Sequence, residues 1–247
     1  MGAPRSILLA LAVAAAASAC GDRDEAVPEP ATPAAQPAFP ATAVQPAAPP
    51  PQPEASPADA EALRAAEALA AQLGVGHPAV VLEIEGYGSL RIELLPEKAP
   101  KTAANFASLA EKGFYDGTTF HRVIPDFVIQ GGDPNSKNRD PRDDGQGGPG
   151  HTIPDEPNDL AHTRGVVSMA NLGSPHTGSS QFFVLLADRP DLDGHYTAFG
   201  RVTEGMEVAD RIAAVETDKY GRYGPPDRPR TNVVVKTARL VEPAPGG

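Results

Sequence analysis

The sequence predicts a mainly β domain, an antiparallel barrel capped by two helices, preceded by a long arm without a core of its own. Three observations carry this prediction. From Ala79 onward, apolar residues recur at period two in several short runs. Only two stretches within the same region show a 3.6-residue period. The chain's 28 prolines are unevenly spread, with a dense cluster before Pro57.

The first nineteen residues read as an export signal. Arg5 supplies a positive start, Ile7 to Ala17 an apolar run, and Ala17-Ser18-Ala19-Cys20 a small-residue cleavage region. The run is too short to span a bilayer, so cleavage is expected after residue 19. Its ending on Cys20, the single cysteine of the chain, resembles a bacterial lipobox, although Ala17 stands where leucine is usual. That resemblance implies that Cys20 is lipidated and becomes the new N-terminus. The protein would then be exported, periplasmic and lipid-anchored to the bacterial cell envelope. Gly21 after the cysteine leans towards the outer membrane. An ordinary secretory signal followed by a chance cysteine is the alternative. The only route to a membrane that the sequence offers is this anchor at Cys20.

Residues 20–57 contain Ala, Pro, Gln and a few acids, and almost no large apolar residues. Such a stretch cannot bury enough surface to offset its ordering entropy, so a disordered tether of polyproline II character is expected. Recognition by a proline-binding module is the sharper alternative. Ser56-Pro57-Ala58-Asp59 then starts a short helix over 58–74, with Leu63, Leu69 and Leu73 loosely on one face and Gly74 as its stop.

The globular part is expected over 79–242, followed by a flexible tail at 243–247. Val80, Leu82 and Ile84, then Leu90, Ile92 and Leu94, alternate with Glu83, Glu85, Arg91 and Glu93; Gly86-Tyr87-Gly88 between them makes a hairpin. Pro100 to Lys112 reads as a helix ended by Gly113, with Thr102, Phe106, Leu109 and Ala110 on one face. Further strands are expected at 127–130, 165–169, 182–186, 197–202 and 232–240, with a second helix at 206–215. The formal net charge of −11 argues against nucleic acid as a partner, because phosphate neutralisation needs a basic surface. One cysteine excludes an internal disulfide and any multi-cysteine metal site.

Three segments carry the chemistry: Phe120 to Asp133 (FHRVIPDFVIQGGD), Ser168 to Asn171 followed by Gly178 to Phe183 (GSSQFF), and Leu192 to Gly200 (LDGHYTAFG). In this order and spacing they closely resemble the cyclophilin signature, and the resemblance covers essentially all of Ala79 to Val241. It implies a closed eight-stranded antiparallel cyclophilin-like barrel and isomerisation of Xaa-Pro peptide bonds in proline-containing polypeptides. The peptide bond before proline turns slowly, because C–N resonance sets a barrier of ~18–20 kcal/mol. Reaching ~10³ turnovers per second means lowering it by roughly 6 kcal/mol. No bond breaks, so neither nucleophile, metal nor cofactor is required. The twisted amide has a pyramidal proline nitrogen with a lone pair, and a fixed cationic donor stabilises that state selectively.

By resemblance, Arg122 is that catalytic donor, and Gln130 supports it and holds the carbonyl side. Phe127, Val128, Phe183 and Leu192 would line the slot for the proline ring. Ala170 and Asn171 would pair with substrate backbone, and Gln181 would flank the groove. Two departures stand out. Asp191 occupies the place where the family often has tryptophan, which implies weak binding of the cyclic inhibitor cyclosporin. Aligned without a gap, the usual pocket histidine falls on Tyr196, with His195 in the neighbouring variable place.

Other constellations carry less. His121 reads as a structural, hydrogen-bonded histidine. His151 with Asp155 and Glu156 fits no common metal spacing. Asp133 to Gly145 lacks the order of a calcium loop and reads as solvated. Gly178-Ser179-Ser180-Gln181 lacks the glycine pattern of a nucleophile elbow. Asp218 to Pro229 reads as an ordered surface loop. The main alternative to an exported folding enzyme is a tethered holdase that grips extended, proline-containing segments without turnover. Nothing in the sequence demands more than a monomer.

Overall fold

The computed structural model describes residues 77–241, together with Ala60, Glu61 and Arg64. Those three have helical backbone; the rest of the expected 58–74 helix, the signal segment with Cys20, the 20–57 tether and the 243–247 tail lie outside the described residues. No helix among the described residues is long and apolar enough to cross a membrane.

The first hairpin forms as its alternation demands. Strands β1 (Ala79–Ile84) and β2 (Gly88–Leu94) pair with Val80 opposite Ile92 and Leu82 opposite Leu90. Val80, Leu82, Ile84, Leu90, Ile92 and Leu94 are all buried. Gly86 turns the chain with φ of 76°, a conformation that L side chains rarely adopt. Six more strands join this pair: β3 (Arg122–Ile124), β4 (Val128–Gly131), β5 (Val166–Met169), β6 (Phe182–Leu185), β7 (Ala198–Glu204) and β10 (Val235–Val241). They form one antiparallel sheet in the order β10-β1-β2-β7-β5-β6-β4-β3. A separate two-stranded ribbon joins β8 (Thr217–Asp218) to β9 (Arg228–Pro229).

The expected closed barrel is corrected by this order: the ladder is open between β3 and β10, so the sheet is an eight-stranded half-barrel. Connecting chain crosses the gap where strand would be needed. Thr119 makes only an isolated bridge with Val234, and the Phe120 N–H reaches the Val233 carbonyl at 2.9 Å. Two residues on, the chain turns away. The Val123 N–H bonds to the Asp227 carbonyl at 2.9 Å, so β3 spends this amide on a surface loop instead of on β10.

Two helices cover the core. Helix α1 (Pro100–Glu111) ends one residue earlier than expected, at a Lys112 cap, and Gly113 follows with φ of 67°. Phe106 on its inner face lies 5.0–5.1 Å, ring centre to ring centre, from Tyr115, Phe182 and Phe199. Burial of each such ring contributes roughly 1.5–3 kcal/mol. Helix α2 (Met206–Ala213) buries Val208, Ala209 and Ile212 against the same core.

The five other expected strand runs all appear, with ends shifted by at most three residues. The three-residue β3 and the two-residue β8 and β9 are additions. They are too short to show a period.

Candidate active site

Alternation along β4, β5 and β6 divides the sheet into two faces. Ile129, Val167, Met169, Phe182 and Val184 enter the main core. Val128, Val166, Phe183 and Leu185 face the other way and form a second apolar cluster with Ala198, against which Phe127, Leu160, Ala170, Leu192 and Tyr196 pack. The candidate site lies on this second face.

Strand pairing places its residues in one row. Arg122 stands opposite Gln130, Gln130 opposite Phe183, and Phe183 opposite Ser168. Neighbours in such a row project to the same side of the sheet. The Arg122 guanidinium donates through Nη1 to Gln130 Oε1 at 3.3 Å. Gln130 Nε2 donates to Gln181 Oε1 at 3.2 Å, and Gln181 Nε2 donates to the carbonyls of Gly145 and Gly147 at 3.0 and 2.9 Å. This chain of amides leaves Gln130 one orientation, with its oxygen towards Arg122. Gln181 can come so close only because position 132 is glycine: a Cβ there would sit 2.4 Å from the Ser180 carbonyl.

The turn between β3 and β4 positions the slot. The Phe127 N–H bonds to the Ile124 carbonyl at 3.1 Å, Pro125 takes the first corner, and Asp126 the second with φ of 57°. Proline followed by a left-handed residue is the pattern of a type II turn. It delivers Phe127 to the rim, next to Val128 and Phe183. Tyr196 meets the Phe183 ring edge-on at 5.4 Å, whereas His195 is exposed. Leu192, on a short 3-10 turn (Pro190–Leu192), completes the apolar wall. Beside the slot opens a cleft of about 450 Å³, lined in part by Gln130, Gln146, Ala170, Asn171 and Gln181. The Ala170 N–H is bonded to the Gln181 carbonyl at 2.9 Å, and Asn171 Oδ1 accepts from the Gly173 N–H at 3.0 Å.

Arg189 belongs to the site, and the sequence offered no signal for it. Its guanidinium carbon lies 4.0 Å from the centre of the Phe127 ring. The same group is held by Asp191 through Nε at 2.8 Å and Nη2 at 2.6 Å. Hydrogen bonding to Arg189 keeps the Asp191 carboxyl below its ordinary range, against a smaller opposing effect of burial. A cation on an exposed ring contributes about 0.5–1 kcal/mol. The position expected to be tryptophan in many relatives therefore carries an ion pair whose cation covers Phe127.

Several expectations change here. His121 was expected to be hydrogen-bonded; it is buried, and neither ring nitrogen has a hydrogen-bond partner among the described residues. Burial lowers its pKa to about 4, opposed by the nearby Asp133 carboxylate and the Thr119 backbone, with Arg122 and Arg228 lowering it further. The 133–145 segment is less solvated than expected. Asp133 is fully buried, accepting from the Asn135 N–H at 2.8 Å and from the Gly145 N–H, and Asp144 pairs with Arg228 at 2.6 Å. The three residues weighed as a metal site are each occupied elsewhere. His151 meets Asn105 Oδ1 at 2.8 Å, and Asp155 accepts from the His176 N–H at 2.9 Å. Glu156 accepts from the Lys101 and Thr102 amides at 3.0 and 2.8 Å. No group of three or more metal-binding side chains occurs among the described residues.

A β half-barrel with a guanidinium held beside an apolar slot and an open cleft is the class of protein that fold and site define. Comparison with known proteins narrows this class. Residues 79–240 match the family described as cyclophilin type peptidyl-prolyl cis-trans isomerase/CLD, and the chain belongs to that family. It is 49% identical over 159 residues to peptidyl-prolyl cis-trans isomerase-like 1 of Neurospora crassa, covering 62% of this chain and 89% of that protein. It is 52% identical over 140 residues to peptidyl-prolyl cis-trans isomerase ppi1 of Schizosaccharomyces pombe, covering 55% and 85%. Among solved structures it resembles a cyclophilin-type isomerase of Cryptosporidium parvum, with TM-score 0.60 and 31% identity over 68% of this chain and 99% of that one. The same Cryptosporidium protein in the presence of the dipeptide Ala-Pro matches with TM-score 0.58.

Proposed function

We propose that this chain catalyses cis–trans isomerisation of Xaa-Pro peptide bonds, with Arg122 as the catalytic group. The observation that carries the proposal is the Arg122–Gln130 contact of 3.3 Å beside the Phe127–Val128–Phe183–Leu192 slot. A proline ring in that slot brings its nitrogen towards the guanidinium. The twisted amide, whose nitrogen has recovered its lone pair, then accepts a charge-assisted hydrogen bond that the planar forms cannot. Gln130, oriented through Gln181, holds Arg122 in place and offers its amide edge to the substrate carbonyl. Since the Ala170 N–H is committed to Gln181, a substrate strand would bind through the Ala170 carbonyl and the Asn171 side chain.

Arg122→Ala in the full chain is expected to lower kcat/KM for a proline-containing peptide by about 10²-fold, the usual loss on removing one transition-state donor. The comparison is made in a prolyl isomerisation assay. Equal background rates for both proteins would reject catalysis in favour of a module that only grips extended chains.

We further propose that the domain is exported and held on the bacterial envelope by a lipid on Cys20, where it assists folding of exported or envelope proteins. The support is the N-terminal sequence alone: Arg5, the apolar run to Ala17, and the single cysteine at the end of that run. Labelled palmitate should enter the wild-type protein expressed in bacteria and be absent from Cys20→Ser. No label in the wild type would refute the anchor.

A further inference from the structure

Two surface loops outside the catalytic row meet to make a second groove. One contains Arg139 to Arg142, the other Gly221 to Pro225, and together they line an open groove of about 960 Å³. Their approach is built in. A Cβ on Gly224 would sit 2.7 Å from the Pro141 carbonyl, so only glycine lets the loops touch there. The Arg228–Asp144 ion pair, with Asp144 buried, ties the same two segments together. On the second loop, Asp218 accepts from the Tyr223 N–H at 2.9 Å, leaving the Tyr223 ring exposed.

The charge of this groove runs against that of the molecule. The chain has a formal net charge of −11, yet the groove is lined by three arginines, Arg139, Arg142 and Arg222, and one aspartate, Asp140. Asp140 is already committed: it accepts from Arg142 Nε at 2.8 Å and Nη2 at 2.7 Å. Arg139 and Arg222 thus supply excess positive charge beside an exposed tyrosine and two prolines, Pro141 and Pro225. The groove borders the candidate cleft, with Gln146 lining both.

We propose that this groove is an extended substrate subsite, which takes an acidic stretch of the same polypeptide whose Xaa-Pro bond lies at Arg122. The inference rests on the proposed isomerase reading for the position of that bond. A peptide crossing Gln146 leaves the cleft and enters a surface where carboxylates meet guanidinium groups and apolar side chains meet Tyr223 and Pro225. Charge complementarity at such a rim selects partners and speeds encounter, and it weakens with salt.

The test uses the full chain and five peptides: a short Ala-Ala-Pro-Phe core, and the core extended by four glutamates or by four lysines on its N-terminal or its C-terminal side. At low salt, one of the glutamate-extended peptides is expected to show kcat/KM about five-fold above its lysine counterpart. The preference should vanish or reverse in the Arg139→Glu/Arg222→Glu variant, which leaves turnover of the short core unchanged. Equal values for glutamate and lysine peptides in the wild type, or a preference that survives in the variant, would overturn the subsite. Fluorescence anisotropy with the same labelled peptides separates the two readings. If the short core is not turned over, the isomerase reading fails, while tighter binding of the glutamate peptide that is lost in the variant still supports the groove. Equal binding of the glutamate and lysine peptides overturns it.

Discussion

At the scale of single residues, the site is defined by what its neighbours forbid. Gln130 is held between a cation and a second amide, so Arg122 has a fixed direction without any covalent constraint. His121, next in sequence to Arg122, is buried and without a side-chain partner among the described residues, with its pKa lowered to about 4 chiefly by burial. The unfolded chain protonates this ring near pH 6.5, whereas the folded one does so only near 4. Between these values the unfolded state binds more protons, so stability falls as pH falls, by roughly 3 kcal/mol in all, and levels off below 4. Thermal melts across that window should show the loss in the wild type and a flatter profile in His121→Leu; parallel profiles would exclude His121 as the cause. Asp191 supports a second prediction. A large apolar cyclic peptide settling on this rim would have to desolvate the Arg189–Asp191 pair, where an indole would present a flat face and one N–H. Cyclosporin is therefore expected to inhibit the purified protein only weakly, and an inhibition constant below the micromolar range would contradict this.

At the scale of elements, the start of α1 shows how distant chain completes local structure. The residue preceding this helix, Ala99, makes no side-chain cap, and the sequence here supplies only Pro100 in the first turn. The missing acceptors come from Glu156, which takes the amides of Lys101 and Thr102 and the Thr102 hydroxyl at 2.8–3.0 Å. A carboxylate at a helix N-terminus also meets the positive end of the helix dipole. Glu156→Ala should thus cost about 1–2 kcal/mol of stability, as loss of a cap does, with isomerase turnover retained because α1 lies on the core side of the sheet. Denaturant unfolding measures it; an unchanged midpoint would remove Glu156 from this role. Glu156 has a structural role here that its sequence neighbours do not reveal.

At the scale of the whole molecule, one sheet serves two tasks. One of its sides packs on α1 and α2, and the other carries the row from Arg122 to Ser168 and the slot. Period-two alternation in β4, β5 and β6 assigns residues to these sides. Phe127, Val128, Phe183 and Leu192 were expected to come together because their segments match a family signature, and they do share one apolar cluster. Closure was the expectation that failed. It depended on whether the chain near Thr119 would pair continuously with β10, and Val123 instead gave its amide to Asp227. Arg189, the two-loop groove and the Glu156 cap were equally out of reach of sequence reading, each joining residues through loops of no fixed period.

By itself the sequence determined the longer strands, both helices and the face their side chains take, and by resemblance it pointed to the set around Arg122, because alternation, turn residues and motif spacing are local properties of the chain. The tertiary structure alone decided where the sheet stays open, which distant carboxylate caps α1, what covers Phe127, and which loops meet beyond the cleft. These depend on which distant hydrogen-bonding and charged groups come within reach of one another, and no local pattern in the chain encodes that.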